Sequence, residues 1–262
     1  MQDRVSILFM AGHIAGGLMR IEQHSSFLSD VLKDALNGRL VPAAFQRPYV
    51  WGKADVLALC ESILRGYPFG SFLIWSPHGK ADLNAYARAR LGPILRSTDG
   101  APTGLLLDGQ NRLASFAWMT QEFHELPANL SEAERATWGT GERLIVDLAL
   151  REMRFVPEAE ANTGFSVPAY TLLDSRVATR LMRERWVSPE WTSLSVDERN
   201  AGLKWWDEVA SARFGGARVV VTVLESATPE EAREAFTHIC RVGVPMSEAD
   251  FDAALKWTGE TP

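Results

Sequence analysis

Cysteine is nearly absent from this chain of 262 residues: Cys60 and Cys240 are far apart, each in an apolar helical pattern. They provide neither a disulfide framework nor the paired spacing of a zinc site, which suits a cytoplasmic protein. Lysine is scarce as well. Lys33, Lys53, Lys80, Lys204 and Lys256 are the only ones among 27 Lys and Arg residues, so the cations are mostly planar and forked, a bias that genome base composition also produces. Excess positive charge is missing. A net charge of −6 excludes a protein that coats nucleic acid by bulk attraction, although a local basic groove stays open. No apolar run reaches the roughly 20 residues of a membrane span, so no membrane partner is expected. Val5 to Met19 is apolar and rich in small residues, but Asp3 and His13 break the echo of an export signal, and Met19 offers an alternative start. Repeats, low-complexity segments and a clear interdomain linker are all lacking. What remains is ordinary globular composition, 46% hydrophobic and 23% charged, with enough length for one large or two small domains.

The most informative stretch runs from Leu105 to Trp118. Leu105, Leu106 and Leu107 form a short buried strand. The polar cluster Asp108-Gly109-Gln110-Asn111-Arg112 interrupts them, and Leu113, Phe116 and Ala117 resume at helical spacing. Gly109 can take a backbone shape closed to other residues, and the helix start offers unpaired N–H groups, a natural seat for phosphate. Arg112 adds a permanent cation, and Asp108 is a candidate Mg²⁺ ligand or water-orienting carboxylate. The same residues also describe an ordinary helix with an exposed arginine.

Elsewhere, helices are expected over Ser25–Leu36, over Lys53 to Gly66, around Ala81 to Leu91 within a surface loop, and from Thr171 to Trp186. Ser131 with Glu134, Ser195 with Glu198 and Thr228 with Glu231 have capping-box spacing, and a last helix is expected from Ser247. Strands are expected at Ser71–Trp75, at Leu144–Leu148 with Met153–Val156 as a hairpin, and at Arg218–Leu224. Two prolines keep Leu40–Trp51 extended. Its Phe45, Tyr49 and Trp51, with Gln46 and Arg47 between them, either stack on a base or plug the space between sheet and helix. Arg176, Arg180 and Arg183 share one helix face, either a basic patch for DNA or a solvated surface; Arg88, Arg90 and Arg96 either touch an anion or are solvated. The economical architecture is α+β: an extension over 1–24, a core over 25–160, and a helical region with a returning strand over 161–262.

Three segments together resemble one family: Val41-Pro42-x-x-Phe45-Gln46-Arg47-Pro48-Tyr49-Val50-Trp51, then Leu107-Asp108-Gly109-Gln110-Asn111-Arg112-Leu113, then Phe236-x-x-Ile239-x-x-x-Gly243-x-Pro245-x-Ser247-x-x-Asp250. They are similar to the N-terminal domain of GmrSD-type modification-dependent restriction enzymes, with its Asp-Gly-Gln-Gln-Arg signature. The likeness spans roughly residues 25 to 255 and includes Arg65-Gly66-Tyr67-Pro68-Phe69-Gly70. The resemblance implies a ParB/sulfiredoxin-like mixed core with an added helical region. It further implies binding and hydrolysis of GTP or another NTP with Mg²⁺, coupled to sensing modified DNA in anti-phage defence.

By position, the resemblance assigns Asp108, Gln110 and Arg112 catalytic roles, with Asp108 on the metal. Gln46, Arg47, Gly109, Asn111 and Arg241 are the candidates to hold nucleotide, with Phe45-Gln46-Arg47 beside the site in a segment that contacts modified DNA in some relatives; Tyr49 and Trp51 join Phe45 as candidates for DNA contact by their aromatic composition. Asn111 stands where the family usually has a second Gln, and His238 and Cys240 stand where it has Arg and Asn. The loss of that Arg weakens the case for hydrolysis more than for binding. Many relatives continue into an HNH nuclease; the five scattered histidines, His13, His24, His78, His124 and His238, form no such pattern, so cutting is expected from a separate nuclease subunit. The alternative is a non-catalytic nucleotide- or modified-DNA-binding module that regulates such a partner. A ParB-like DNA clamp fits less well, since no helix-turn-helix is recognisable.

Overall fold

The structure is a computed structural model that describes residues 5–7, 19–46, 48–77, 82–95, 97, 101–122 and 126–241. In chain order β1 (Val5–Ile7) and β2 (Arg20–Phe27) lead into α1 (Leu28–Leu36), β3 (Leu40–Pro42) and α2 (Lys53–Arg65). Then come β4 (Ser71–Ser76), the short hairpin β5 (Arg90–Leu91) and β6 (Ile94–Leu95), β7 (Gly104–Asp108) and α3 (Gln110–Met119). α4 (Glu132–Trp138) precedes a second small sheet of β8 (Glu142–Asp147), β9 (Glu152–Pro157) and β10 (Ser166–Pro168). The last third holds α5 (Ser175–Arg185), α6 (Pro189–Thr192), α7 (Val196–Trp205), α8 (Ala212–Gly215), β11 (Arg218–Glu225) and α9 (Pro229–Arg241). This is an α+β fold.

The main sheet has six strands in the order β1-β2-β11-β4-β7-β3. β11 runs antiparallel to β2 and parallel to β4, β4 is antiparallel to β7, and β7 is parallel to β3. Both faces of its centre are covered, which is why three consecutive leucines are tolerated in β7. Leu106 packs with Phe72, Val219 and Val221 on the face covered by α1, α2 and α3. Leu105 and Leu107 point the other way, to Leu73, Trp75, Val41 and Leu224, under the turn at Leu83 and under Ala232 of α9. Strand alternation thus builds two cores from one sheet.

Several expected elements shift. The helix expected from Ser25 begins at Leu28, because Ser25, Ser26 and Phe27 pair with Val220, Val219 and Arg218. The Arg218 guanidinium also lies 4.2 Å from the Phe27 ring centroid. Pairing to a β-branched strand outweighs a weak helical pattern. A domain line at residue 25 would cut β2, and β11, from the segment after 161, lies between β2 and β4. The helix expected near Ala81–Leu91 is a single 3-10 turn at Leu83–Tyr86, and Leu83 and Leu91 are buried, so this stretch is packed. The helix expected from Thr171 starts only at Ser175, where the Asp174 carboxylate accepts from Arg176 N (2.9 Å) and Val177 N (3.1 Å). The helix expected from Ser247 lies outside the described residues.

Candidate functional site

Strand β7 delivers Asp108 to the edge of the buried sheet, and the chain turns there on Gly109, at φ 97°. A Cβ at this position would sit 2.3 Å from Phe72 Cδ1, so backbone shape and packing both require glycine. Helix α3 starts at once. No side chain caps it and no acidic residue occupies its first turn. The Leu113 N–H is the first to reach back, to Gly109 O at 2.9 Å. The N–H groups of Gln110, Asn111 and Arg112 therefore have no partner within the helix.

Arg112 is braced from β4. Its Nη2 donates to Ser71 O (2.6 Å) and to Asp108 Oδ2 (3.2 Å), and the guanidinium lies against Gly70, where a Cβ would be 2.9 Å from Cζ. This internal pair does not close the site. The Asp108 side chain keeps 49% of its exposure, and an ion pair that open is worth about 0–1 kcal/mol. In front lies a hollow of about 680 Å³ whose lining includes Phe45, Trp51 and Phe236 as well as Gln46 and the residues from Leu107 to Arg112. Among its described lining residues Arg112 is the cation and Asp108 the carboxylate.

The extended segment after β3 is strapped onto α3. Gln46 is buried and its amide donates to Leu106 O, while the Arg88 guanidinium donates to Gln46 O. Asn111 Oδ1 accepts from Val50 N at 3.1 Å, and the Tyr49 hydroxyl lies 3.0 Å from Ser115 Oγ. Tyr49 is 1% exposed, and desolvation pushes its phenol well above the ordinary value. Its ring is therefore the plug between strap and helix, not a surface for stacking a base; this corrects its expected role in DNA contact. Phe45 and Trp51 do reach the hollow. Phe45 meets Phe236 of α9 at 5.4 Å between centroids. Gln110 is buried with Oε1 lacking any hydrogen-bond partner among the described residues.

Other expected residues fall elsewhere. Arg47 is outside the described residues, as are Gly243, Pro245, Ser247 and Asp250, and of Arg241 only the backbone is described, as the end of α9. Arg176, Arg180 and Arg183 line a separate hollow of about 540 Å³ along α5 that shares no lining residue with the first, and Arg180 pairs with Glu122 at 3.4 Å. Arg88 and Arg90 are not solvated loop cations: Arg90 reaches Glu134 and Asn129 O, both at 3.2 Å. Sequence reasoning missed the wall supplied by Phe236, which opens the third motif, and the brace at Gly70 and Ser71, which has no local signal.

Comparison with known proteins follows the same residues. The model of a family described as "GmrSD restriction endonuclease, N-terminal domain" matches residues 28–255. An uncharacterized protein of Methanocaldococcus jannaschii is 34% identical over 101 residues, which cover 37% of this chain and 17% of that protein. The chain thus matches about a sixth of that curated relative's length. Among the described residues no helix is long and apolar enough to cross a membrane.

Proposed function

Because the chain belongs to the family of the GmrSD restriction endonuclease N-terminal domain, its work lies in a restriction system, and we propose that it serves there as a nucleotide-binding, NTP-hydrolysing regulatory part, with cutting done by a separate nuclease. One observation carries the reading: the uncapped start of α3, with Arg112 beside it, faces a hollow walled by aromatic rings. Three backbone N–H groups and a guanidinium suit a polyphosphate, and Phe45, Trp51 and Phe236 suit a flat base. Donors fixed by the fold need no reorganisation when charge builds on a phosphate oxygen.

Among the described residues no group of three or more His, Cys, Asp or Glu side chains gathers as a metal cage. The half-exposed Asp108 nevertheless fits Mg²⁺, an ion held by one or two carboxylates with substrate phosphates and water. Bound there, the ion would neutralise phosphate charge. The chain's own residues do the rest. Arg112, released from Asp108, holds phosphate oxygens, and the Gln110 amide is free to orient a water or the ligand.

With Mg²⁺ the purified protein is expected to release phosphate from GTP or another NTP. Asp108→Ala should abolish release, and Arg112→Ala should weaken binding about 10- to 100-fold, the worth of one charged hydrogen bond. Wild-type turnover no higher than that of Asp108→Ala removes hydrolysis. A second reading, a non-catalytic module that binds nucleotide or modified DNA to regulate its partner, is favoured by the single carboxylate in the hollow. A thermal-shift panel separates the two: stabilisation by nucleotide without phosphate release selects the module.

A further inference from the structure

A second cleft, of about 380 Å³, borders the same strap. Tyr49, Arg88, Arg90, Asn129 and Glu134 line it, and Gln110 is the residue it shares with the first hollow. Its lining side chains carry three buried atoms that make no hydrogen bond to a described residue: Arg88 Nε, Arg90 Nη1 and Gln110 Oε1. Orphaned polar groups of this kind are rare, and three on the side chains around one cleft mark a place where a ligand, met by a small turn of those side chains, completes them.

The charges there do not balance. Glu134 accepts from Arg90 at 3.2 Å and from Ser131 N at 2.8 Å, so its carboxylate is already engaged. Arg88 meets only the uncharged Gln46 carbonyl, and no carboxylate among the described residues lies within ion-pair distance of it. The Tyr49 phenol, pushed up by burial, stays neutral. The cleft is left with one uncompensated cation, two N–H donors and one acceptor.

We propose that this cleft is a second anion site, built for a hydrogenphosphate group. Its oxygens accept from Arg88 and Arg90, and its P–OH donates to Gln110 Oε1. Sulfate offers the same oxygens and no proton at neutral pH. Free inorganic phosphate carries this proton at neutral pH, and a terminal phosphate monoester carries it below its second pKa of about 6.

The test is titration of inorganic phosphate and, at matched ionic strength, sulfate into wild-type protein, followed by calorimetry and melting temperature. Phosphate should bind and raise the melting temperature, and sulfate should do so at least tenfold more weakly. Arg112→Ala, which disables the α3 hollow, should leave phosphate binding in place, whereas Arg88→Lys, which keeps the charge and loses Nε, should weaken it at least tenfold. Ala89→Glu, at an exposed lining position, adds a carboxylate without touching a buried contact and should weaken it too; it decides the matter if Arg88→Lys fails to fold. Competition by glycerol 3-phosphate names the source: tighter binding of the monoester points to a phosphorylated compound, tighter binding of the free ion to phosphate itself. No binding of phosphate, equal binding of sulfate, or binding abolished by Arg112→Ala and untouched by Ala89→Glu overturns the proposal. No NTP enters the experiment, so its failure is separate from failure of the NTPase reading.

Discussion

Helix α3 and its counterparts α4, α7 and α9 treat the same physical problem in opposite ways. In α4, Ser131 Oγ accepts from Glu134 N (3.2 Å) and Glu134 Oε2 from Ser131 N (2.8 Å). Ser195 and Glu198 repeat the exchange in α7, and Thr228 and Glu231 repeat it in α9. Each of these helices also carries acidic residues in its first turn. α3 has glycine in the capping position and no acid in its first turn. A chain that writes Ser/Thr-x-x-Glu at several helix starts omits it where β7 turns into α3, and also where β2 runs into α1, although α1 carries Asp30 in its first turn. The difference leaves the first N–H groups of α3 facing the hollow, whereas α4, α7 and α9 close theirs with ordinary side chains.

Substitutions sharpen or break this contrast. Gly109→Ala should have the largest effect, a loss of about 2–5 kcal/mol of unfolding free energy, from left-handed backbone strain plus the 2.3 Å approach to Phe72. Urea denaturation measures it, and a loss under about 1 kcal/mol would show the turn to be pliable. Ser195→Ala removes an ordinary cap and should cost about 1 kcal/mol with nucleotide affinity unchanged. Altered affinity would mean that α7 communicates with the hollow. Gln110→Met trades an unpaired buried amide for an apolar chain of similar size, so stability should hold or rise by about 1 kcal/mol while nucleotide affinity falls. Loss of stability instead would show the amide to be structural.

The smallest effect is on pH dependence. Glu198 is held below its ordinary value of 4.5 by the Ser195 hydroxyl and then by the Ser195 N–H. A depressed carboxyl stabilises the fold above its unfolded value and loses that contribution as pH falls through its folded value. The stability gap between wild type and Glu198→Gln should therefore be open at pH 7 and narrow below about pH 4.5, in denaturation curves taken across that range. A gap independent of pH would put the cap's worth in hydrogen-bond geometry alone.

The parts of the fold legible in the sequence were those written within a few residues. Asp108-Gly109-Gln110 gave strand, turn and helix, and the Ser/Thr-x-x-Glu spacings gave three helix starts, because both depend on neighbours in the chain. Ser25–Phe27 were misread because their partners, Arg218–Val220, lie in the last third of the sequence. The two-residue strands β5 and β6 are too short to show a period, and β10 ends on a proline. At the site, the hollow's floor was local and readable. Its walls were not: Ser71, which holds Arg112, is 41 residues away, and Phe236 arrives on another helix. Tyr49 shows the limit of composition, since an aromatic ring reads alike whether it plugs a core or faces a ligand.

The placement of β11 between β2 and β4 bears on how the protein comes into being. The ribosome adds that strand long after β2 and β4, and until then both have open edges where it will sit. Bare edges recruit strands from other molecules, and pairings so distant along the chain form slowly. Nascent chains stalled short of residue 218 should therefore be aggregation-prone and dependent on chaperones, however well their helices form.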